Sequence, residues 1–189
     1  MSKVGILGGT FDPIHLGHIQ LAESVREQLK LQKVLFIPSH VPPHKLDYNV
    51  TDAKHRLAMV KLAVEEFDHF EASGYEVQKG GASYTIETAK HFRLKYPTTD
   101  FYFIIGEDNF SQVKQWKQFD QLNQLVTFAV ANRNGFDGEE PKINCVRVSM
   151  PAMDISSSTI RELIQKKKSV ESYLPKNVFD YIKKYSLYK

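Results

Sequence analysis

The chain has 189 residues, of which 25 are basic and 22 acidic, so its formal net charge is only +3. Mixed charge of this size argues against a nucleic-acid or membrane partner, and the N-terminus lacks the zones of a signal peptide. The one cysteine, Cys145, excludes an internal disulfide. We therefore expect a cytoplasmic protein with a single domain over residues 1–189, because this length supports one substantial core.

Short apolar runs alternate with longer segments of helical spacing along most of the chain. The predicted strands are 3–7, 34–38, 101–105 and 126–131, and the predicted helices are 16–30, 52–66 and 110–125. The runs FYFII and VTFAV are almost wholly apolar, as in strands that are covered on both faces. The alternation predicts an α/β, Rossmann-like, doubly wound fold with a mainly parallel sheet and helices on both faces.

Two long loops and a serine-rich segment interrupt this alternation. The loops cover 39–50 and 132–142, and long loops in compact domains are commonly functional. Three serines precede an amphipathic segment over 159–165, which indicates a helix with a hydroxyl cap. Pro175 stands where the first turn of a last helix would begin.

The segment GGTFDPIHLGH joins the first predicted strand to the first predicted helix. Gly8 and Gly9 permit a backbone path that other residues disfavour, and they allow a ligand to approach the main chain. If the helix begins near Ile14, His15 and His18 share a face at its N-terminus, where N–H groups and the helix dipole suit a phosphate. Two histidines that only pack or cap, or that bind zinc, are the alternative interpretations.

The same segment carries the H-x-G-H signature of nucleotidyltransferases whose ATP site resembles that of class I aminoacyl-tRNA synthetases. Together with ISSSTIR, residues 155–161, it is similar to the bacterial nicotinate-nucleotide adenylyltransferases. The resemblance runs from the first strand to the last helix. It implies transfer of the AMP moiety of ATP to nicotinate mononucleotide, giving nicotinate adenine dinucleotide (deamido-NAD) and pyrophosphate in NAD biosynthesis. It also implies Mg²⁺ with the ATP, although the sequence shows no dedicated metal cage.

The resemblance assigns both motifs to ATP. The hydroxyls, helix start and fixed positive charge of ISSSTIR suit a polyphosphate, although one hydroxyl is needed as the N-cap. The attacking phosphate is already an anion and needs no strong base, so we expect the histidines to donate hydrogen bonds to phosphates. The predicted catalytic residues are His15, His18 and Arg161. The predicted ATP contacts are Gly8, Gly9, Thr10, Phe11, His15, His18, Ile155, Ser156, Ser157, Ser158 and Arg161.

The resemblance assigns the mononucleotide to several other segments. Lys45 follows the second strand and Asp108 follows the third predicted strand, on the edge of such a sheet that binds ligands. Trp116 is the only tryptophan available to stack on a pyridine ring, but its neighbours differ from the family's usual lysine before and tyrosine after. The predicted mononucleotide contacts are His44, Lys45, Tyr84, Thr85, Asp108, Trp116 and Arg133. Asp12 matches the motif as well, and its role as a ligand contact or as part of the turn stays open.

Other functions share parts of this pattern. Pantetheine-phosphate adenylyltransferase belongs to the same superfamily. An enzyme that prefers nicotinamide mononucleotide is a second alternative, because its substrate differs only in carrying an amide where nicotinate carries a carboxylate. A nucleotide sensor would be expected to lack a reacting residue, and an RNA binder should show a basic stripe with interleaved aromatic residues. The expected partners are therefore ATP and nicotinate mononucleotide, and self-association into a homo-oligomer is left open.

Overall fold

The computed structural model describes residues 2–42, 50–132, 143–150 and 155–189. In these residues one parallel six-stranded sheet has the order β3-β2-β1-β4-β5-β6. The strands are β1 (Ser2–Gly9), β2 (Lys33–Pro38), β3 (Phe70–Ala72), β4 (Thr99–Gly106), β5 (Thr127–Asn132) and β6 (Cys145–Ser149). The order reverses between β1 and β4, and in open parallel sheets ligands bind outside the carboxyl ends of the strands at such a point. The predicted doubly wound α/β fold is confirmed.

Helices cover both faces of the sheet. They are α1 (Leu16–Leu29), α2 (Ala53–Val64), α3 (Tyr75–Lys79), α4 (Thr85–Lys95), α5 (Glu107–Phe110), α6 (Phe119–Leu125), α7 (Ser157–Gln165) and α8 (Lys176–Tyr185). One core lies between the sheet and α1, α2, α7 and α8, and includes Met59 and Ile160. A second core lies on the other face, where α4, α5 and α6 bury residues such as Ile86 and Leu122. No helix in the described ranges is long and apolar enough to cross a membrane.

The first two helices lie close to their predicted positions. Asp52 caps α2, because its side chain accepts a hydrogen bond of 2.7 Å from the backbone N–H of Lys54. Lys30 ends α1 in the left-handed conformation with φ 54°. The helix predicted over 16–30 begins at Leu16 as predicted. The start near Ile14 that was considered for the histidine pair is wrong, since His15 has an extended backbone with φ −145° and is the N-cap.

The predicted helix over 110–125 is also wrong. The segment forms the short helix α5, a 3₁₀ turn at Val113–Gln115, and then α6. Two residues break it: Trp116 is extended with ψ 146°, and Gln118 is left-handed with φ 54°. Strands β3 and β6 were not predicted from the sequence. Of the two predicted loops, 43–49 and 133–142 lie outside the described residues.

Candidate active site

The two glycines of the GGTFDPIHLGH segment end strand β1, where Gly9 pairs with Pro38 of β2. Both have ordinary negative φ angles, so the expected special backbone path is wrong at these positions. A Cβ on Gly9 would lie 3.0 Å from the ring of Phe11, so glycine leaves room for that ring. The left-handed residue is the buried Phe11, with φ 49°. Such a conformation costs a non-glycine residue about 1–3 kcal/mol and persists only where its surroundings enforce it.

The two histidines of the motif stack on each other at the start of α1. Their ring centroids are 3.7 Å apart and their planes make an angle of 29°. The backbone N–H of His15 donates to Nδ1 of His18 at 3.2 Å, so Nε2 is the donor nitrogen of a neutral His18. A Cβ on Gly17 would lie 3.0 Å from Nδ1 of His15, so glycine leaves room for that ring. His18 therefore offers one imidazole N–H donor, and the ring of His15 stacks behind it.

Burial sets the charge of this pair. It lowers the pKa of His15 to about 4. Burial and the neighbouring His15 also lower the pKa of His18 well below its usual value. Both rings are therefore neutral at neutral pH in the free protein, and the Nδ1 atom of His15 has no hydrogen-bond partner among the described residues. Phe11 contacts His18 edge-on, with ring centroids 5.0 Å apart, and supports the outer ring of the stack.

The start of α7 contacts the turn before α1, although the two segments are far apart in sequence. Ser157 Oγ donates to the carbonyl of Pro13 at 2.9 Å, across 144 residues. Arg161 Nη1 donates to the carbonyl of Asp12 at 2.8 Å, across 149 residues. Residues 8–18 and 155–161 thus form one structure, called here the helix-start corner. It contains all the residues predicted to bind ATP.

The remaining members of ISSSTIR have distinct positions in the helix-start corner. Ser156 is the N-cap of α7, and its Oγ accepts a 3.0 Å hydrogen bond from the backbone N–H of Thr159. Ser158 is exposed, and its hydroxyl lies 3.5 Å from Nη2 of Arg161. Ile155 packs towards Gly17. One hydroxyl therefore caps the helix, one joins it to the turn, and Ser158 faces solvent beside the guanidinium.

The carboxylate of Asp12 is buried and accepts hydrogen bonds from other residues of the protein. The residue is only 5% exposed. Oδ1 accepts a hydrogen bond of 2.7 Å from the hydroxyl of Tyr188, and Oδ2 accepts one of 3.3 Å from the backbone N–H of Thr51. Both carboxylate oxygens therefore have protein partners, and Asp12 shapes the turn.

Arg56 of α2 is a functional candidate that the sequence interpretation missed. The residue is 1% exposed. Its guanidinium donates to three backbone carbonyls, those of Thr51 (2.8 Å), Thr10 (2.7 Å) and His40 (2.9 Å). It therefore ties the turn after β1 to the segment after β2. The signal was present in the sequence, because Arg56 lies at core-facing helical spacing between the buried residues of α2.

A second group of predicted residues lies where the segment after β2 meets the start of α4. The backbone N–H of His40 donates to Ser83 Oγ at 2.9 Å, and the N–H of Ser83 donates to the carbonyl of Val41 at 3.0 Å. These bonds fix the residues before Tyr84 and Thr85. Tyr84 is the N-cap of α4 and Thr85 is its first helical residue.

Trp116 is half-buried beside the same group and packs edge-on against the sheet. Its ring centroid is 5.9 Å from that of Phe103 and 6.5 Å from that of Phe128. Lys117 Nζ lies 3.9 Å from the ring centroid of Tyr84. We call Tyr84, Thr85, Trp116 and Lys117 the aromatic corner. It connects to the end of β1 through Phe103, because a Cβ on Gly8 would lie 3.3 Å from that ring.

The other predicted residues are only partly located. Asp108 is an exposed residue of α5, just beyond the carboxyl end of β4. His44, Lys45 and Arg133 lie outside the described residues. Within the part of the chain that is described, no group of three or more His, Cys, Asp or Glu residues could hold a metal ion.

Comparison with known proteins adds independent findings. A family model described as cytidylyltransferase-like matches residues 6–163. The chain is 42% identical over 200 residues to a probable nicotinate-nucleotide adenylyltransferase of Clostridium tetani, covering 100% of both chains. It is 40% identical over 189 residues to the protein of the same name from Bacillus pumilus, again covering 100% of both.

Solved structures share the fold. A Plasmodium falciparum nicotinic acid mononucleotide adenylyltransferase complexed with NaAD matches with a TM-score of 0.81 and 21% identity, over 100% of this chain and 98% of that one. A putative nicotinate-nucleotide adenylyltransferase from Vibrio parahaemolyticus matches with a TM-score of 0.74 and 22% identity, over 100% and 96%. At these identities the structural likeness shows the fold alone.

Proposed function

Because this chain belongs to the nicotinate-nucleotide adenylyltransferase family, we infer that it is an enzyme that transfers the AMP moiety of ATP to nicotinate mononucleotide. The products are nicotinate adenine dinucleotide and pyrophosphate, in a step of NAD biosynthesis. The observation that carries the inference is the contact between two distant motifs, through Ser157 with Pro13 and Arg161 with Asp12. A polyphosphate site needs donors and positive charge that converge from separate elements, and the helix-start corner offers both.

The reaction needs alignment and charge stabilisation more than proton transfer. A 5′-phosphate oxygen of the mononucleotide bonds to the α-phosphorus of ATP, and the bond to the pyrophosphate oxygen breaks. The nucleophile is already an anion near neutral pH, so no strong base is required. Negative charge grows on the α-phosphoryl oxygens and on the leaving group, and preorganised donors at those oxygens lower the barrier.

The neutral histidine pair suits this task. Nε2 of His18 is its donor nitrogen, because Nδ1 already accepts from the backbone of His15. We assign His18 to a phosphoryl oxygen and His15 to its support. Arg161 supplies the fixed positive charge, since a guanidinium stays protonated throughout the physiological range. A bound triphosphate would favour the protonated form of both imidazoles by placing negative charge beside them.

We propose that Mg²⁺ accompanies the ATP. The helix-start corner offers imidazole, hydroxyl and guanidinium groups, and the Asp12 carboxylate is already bonded to Tyr188 and Thr51. These residues fit an ion that keeps phosphate oxygens and waters as its ligands, as Mg²⁺ does when it binds with a nucleotide. The bound ion would neutralise part of the charge of the polyphosphate.

We propose that the nicotinate ring of the second substrate lies at the aromatic corner. The start of α4 at Tyr84 and Thr85 presents backbone N–H groups, which suit a carboxylate. Trp116 is half-buried against Phe103 and offers an aromatic surface to a pyridine ring. Asp108, at the carboxyl end of β4, is assigned to ribose hydroxyls. His44, Lys45 and Arg133 stay predictions for the same substrate.

One assay tests the proposed function. Pyrophosphate release is measured with ATP, Mg²⁺ and one of three acceptors: nicotinate mononucleotide, nicotinamide mononucleotide or phosphopantetheine. The dinucleotide product is identified by mass spectrometry. We expect the highest kcat/KM with nicotinate mononucleotide and loss of turnover when a chelator removes Mg²⁺. A strong preference for phosphopantetheine, or no pyrophosphate with any acceptor, would overturn the assignment.

A further inference from the structure

The C-terminal end of the chain folds back onto the helix-start corner. Helix α8 ends at Tyr185, and Ser186 follows in the left-handed conformation with φ 53°. The backbone N–H of Leu187 returns to the carbonyl of Ile182 at 3.1 Å. Tyr188 is also left-handed, with φ 65°. Two non-glycine residues in this conformation are costly in isolation, so the surrounding contacts must enforce this path of the tail.

The contact that the tail makes is a hydrogen bond to a buried carboxylate. The hydroxyl of Tyr188 donates to Oδ1 of Asp12 at 2.7 Å. Burial, together with the Asp12 carboxylate, raises the pKa of Tyr188 well above its usual value, so the hydroxyl keeps its proton and remains a donor. The other carboxylate oxygen accepts from Thr51. A buried carboxylate that loses such a donor is left partly unsatisfied, which is more costly than the loss of an exposed hydrogen bond.

The peptide segment that carries Asp12 contacts both halves of the helix-start corner. The carbonyl of Asp12 accepts from Arg161 Nη1 at 2.8 Å, and the next carbonyl, of Pro13, accepts from Ser157 at 2.9 Å. His15 follows two residues after Pro13 and begins the stacked pair. The position of one peptide segment therefore decides how the guanidinium and the imidazoles lie relative to each other.

We propose that Tyr188 is a positioning residue of the ATP site, which holds Asp12 and through it fixes Arg161 and the histidine turn. The proposal rests on the proposed function, because it concerns the geometry of the same polyphosphate site. Tyr188 does not contact the reacting atoms. It holds the hydrogen-bond donors of residues 8–18 and those of residues 155–161 at fixed positions relative to each other.

The test removes a single oxygen atom. In Tyr188→Phe, the ring still fills its place but Asp12 loses a donor, so kcat/KM for ATP should fall about tenfold. The Kd of an ATP analogue with a methylene bridge between the α and β phosphorus atoms, measured by calorimetry, should rise by a similar factor. The KM for nicotinate mononucleotide should stay within about twofold, because Tyr188 packs against the core on one face of the sheet, whereas Tyr84 and Trp116 pack against the core on the other face.

The matched control is Tyr185→Phe. It removes the same atom from the last residue of α8, a tyrosine that is 46% exposed. It should leave all three constants unchanged. All constants are measured at a temperature where thermal melts show each variant fully folded, so that a loss of stability alone does not change them. Removal of residues 188 and 189 should give a loss at least as large as that of Tyr188→Phe.

The two proposals fail in different ways. An active parent enzyme whose folded Tyr188→Phe variant has unchanged kcat/KM for ATP and unchanged analogue Kd overturns the positioning role alone. A variant that loses ATP and mononucleotide affinity equally also overturns it, because the effect would then be general. A parent protein that neither turns over nor binds the analogue overturns the proposed function, and the positioning role with it.

Discussion

The helix-start corner and the aromatic corner lie on the same edge of the sheet but are built from different interactions. The first is a set of hydrogen bonds to buried carbonyls and a buried carboxylate, which join segments 144 and 149 residues apart. The second combines aromatic contacts with ion pairs, and the side chain of Lys117 is 45% exposed there. One corner has a hydrogen-bonded polar interior, and the other is apolar with a charged surface.

The difference matches what the two proposed substrate sites require. Phosphoryl transfer develops charge at fixed positions, and donors stabilise it best when they need not reorganise. A flat ring can be recognised by an aromatic surface with an exposed, charged rim, since stacking depends on area more than on one fixed angle. Substitutions in the helix-start corner should therefore have large effects on stability or turnover, and substitutions in the aromatic corner should have smaller effects on one substrate.

The largest effect is expected at Arg56, which supports the helix-start corner from α2. In Arg56→Met, three carbonyls lose their donor and Asp12 loses a nearby positive charge. We expect the free energy of unfolding to fall by about 4 kcal/mol, in the range found when one partner of a buried charged network is removed. Urea denaturation measures this change. Lys61→Met, on the exposed side of the same helix, is the control and should change stability by less than about 0.5 kcal/mol. Equal losses in both variants would contradict the role of Arg56.

The next effect is expected at His18. In His18→Ala the proposed donor to the phosphates is removed, and turnover should fall about a hundredfold, equivalent to about 3 kcal/mol in the barrier. Steady-state pyrophosphate release measures the rate, and circular dichroism checks that the protein is folded. The control is His69→Ala, because His69 lies before β3 at the opposite edge of the sheet. An unchanged rate in His18→Ala would remove His18 from the mechanism.

Much of the fold was predictable because its signals are local. The first two helices have apolar spacing over several turns, and Asp52 gives α2 a cap that can be read from sequence. The segment 110–125 has similar spacing, yet the left-handed Gln118 and the extended Trp116 break it. These two conformations allow the tryptophan to pack on Phe103, and a contact with another strand has no local signal. Strand β3 has only three residues, too few for a period to be detected.

The parts of the candidate site that lie in sequence motifs were predictable. The contacts between residues that are far apart in sequence were not. The meeting of residues 8–18 with residues 155–161 follows from the family resemblance, and the structure places the two segments in contact. The glycines were assigned to a special backbone path, whereas the residue with positive φ is Phe11. The bond between Tyr188 and Asp12 spans 176 residues and leaves no pattern in the sequence. Only the folded chain could identify that pair.

A smaller effect, confined to one substrate, is expected at Trp116. In Trp116→Ala the aromatic surface is lost, and KM for nicotinate mononucleotide should rise about tenfold, in line with the energy of stacking on one ring. Trp116→Phe keeps a ring and should recover most of the affinity. KM for ATP should stay within about twofold in both variants, because the helix-start corner is held by other contacts. A rise for ATP alone would place the mononucleotide elsewhere.

The smallest effect is expected at Glu87, whose ion pairs lie at the rim of the aromatic corner. Its carboxylate lies 2.6 Å from Lys79 Nζ and 3.1 Å from Lys117 Nζ. The hydrogen bond from Lys79, with a second from Lys117, holds the pKa of Glu87 below its usual value. A carboxyl whose pKa is lower in the folded state adds stability above its unfolded pKa and loses it as pH falls through the folded value.

Glu87→Gln should therefore lower the free energy of unfolding by less than about 1 kcal/mol at neutral pH, since these partners are partly solvated. The difference from the parent should shrink towards zero as pH falls from the unfolded-state pKa of a glutamate, about 4.3, through the lower pKa that Glu87 has in the folded protein. Urea denaturation at several pH values measures it. The control is Glu162→Gln, because Glu162 is 3.9 Å from Lys166 with both side chains 65% exposed, and no change is expected there. A large loss at Glu87 that persists in acid would mean that the rim is held by packing, and the contrast between a polar interior at one corner and a charged rim at the other would then fail.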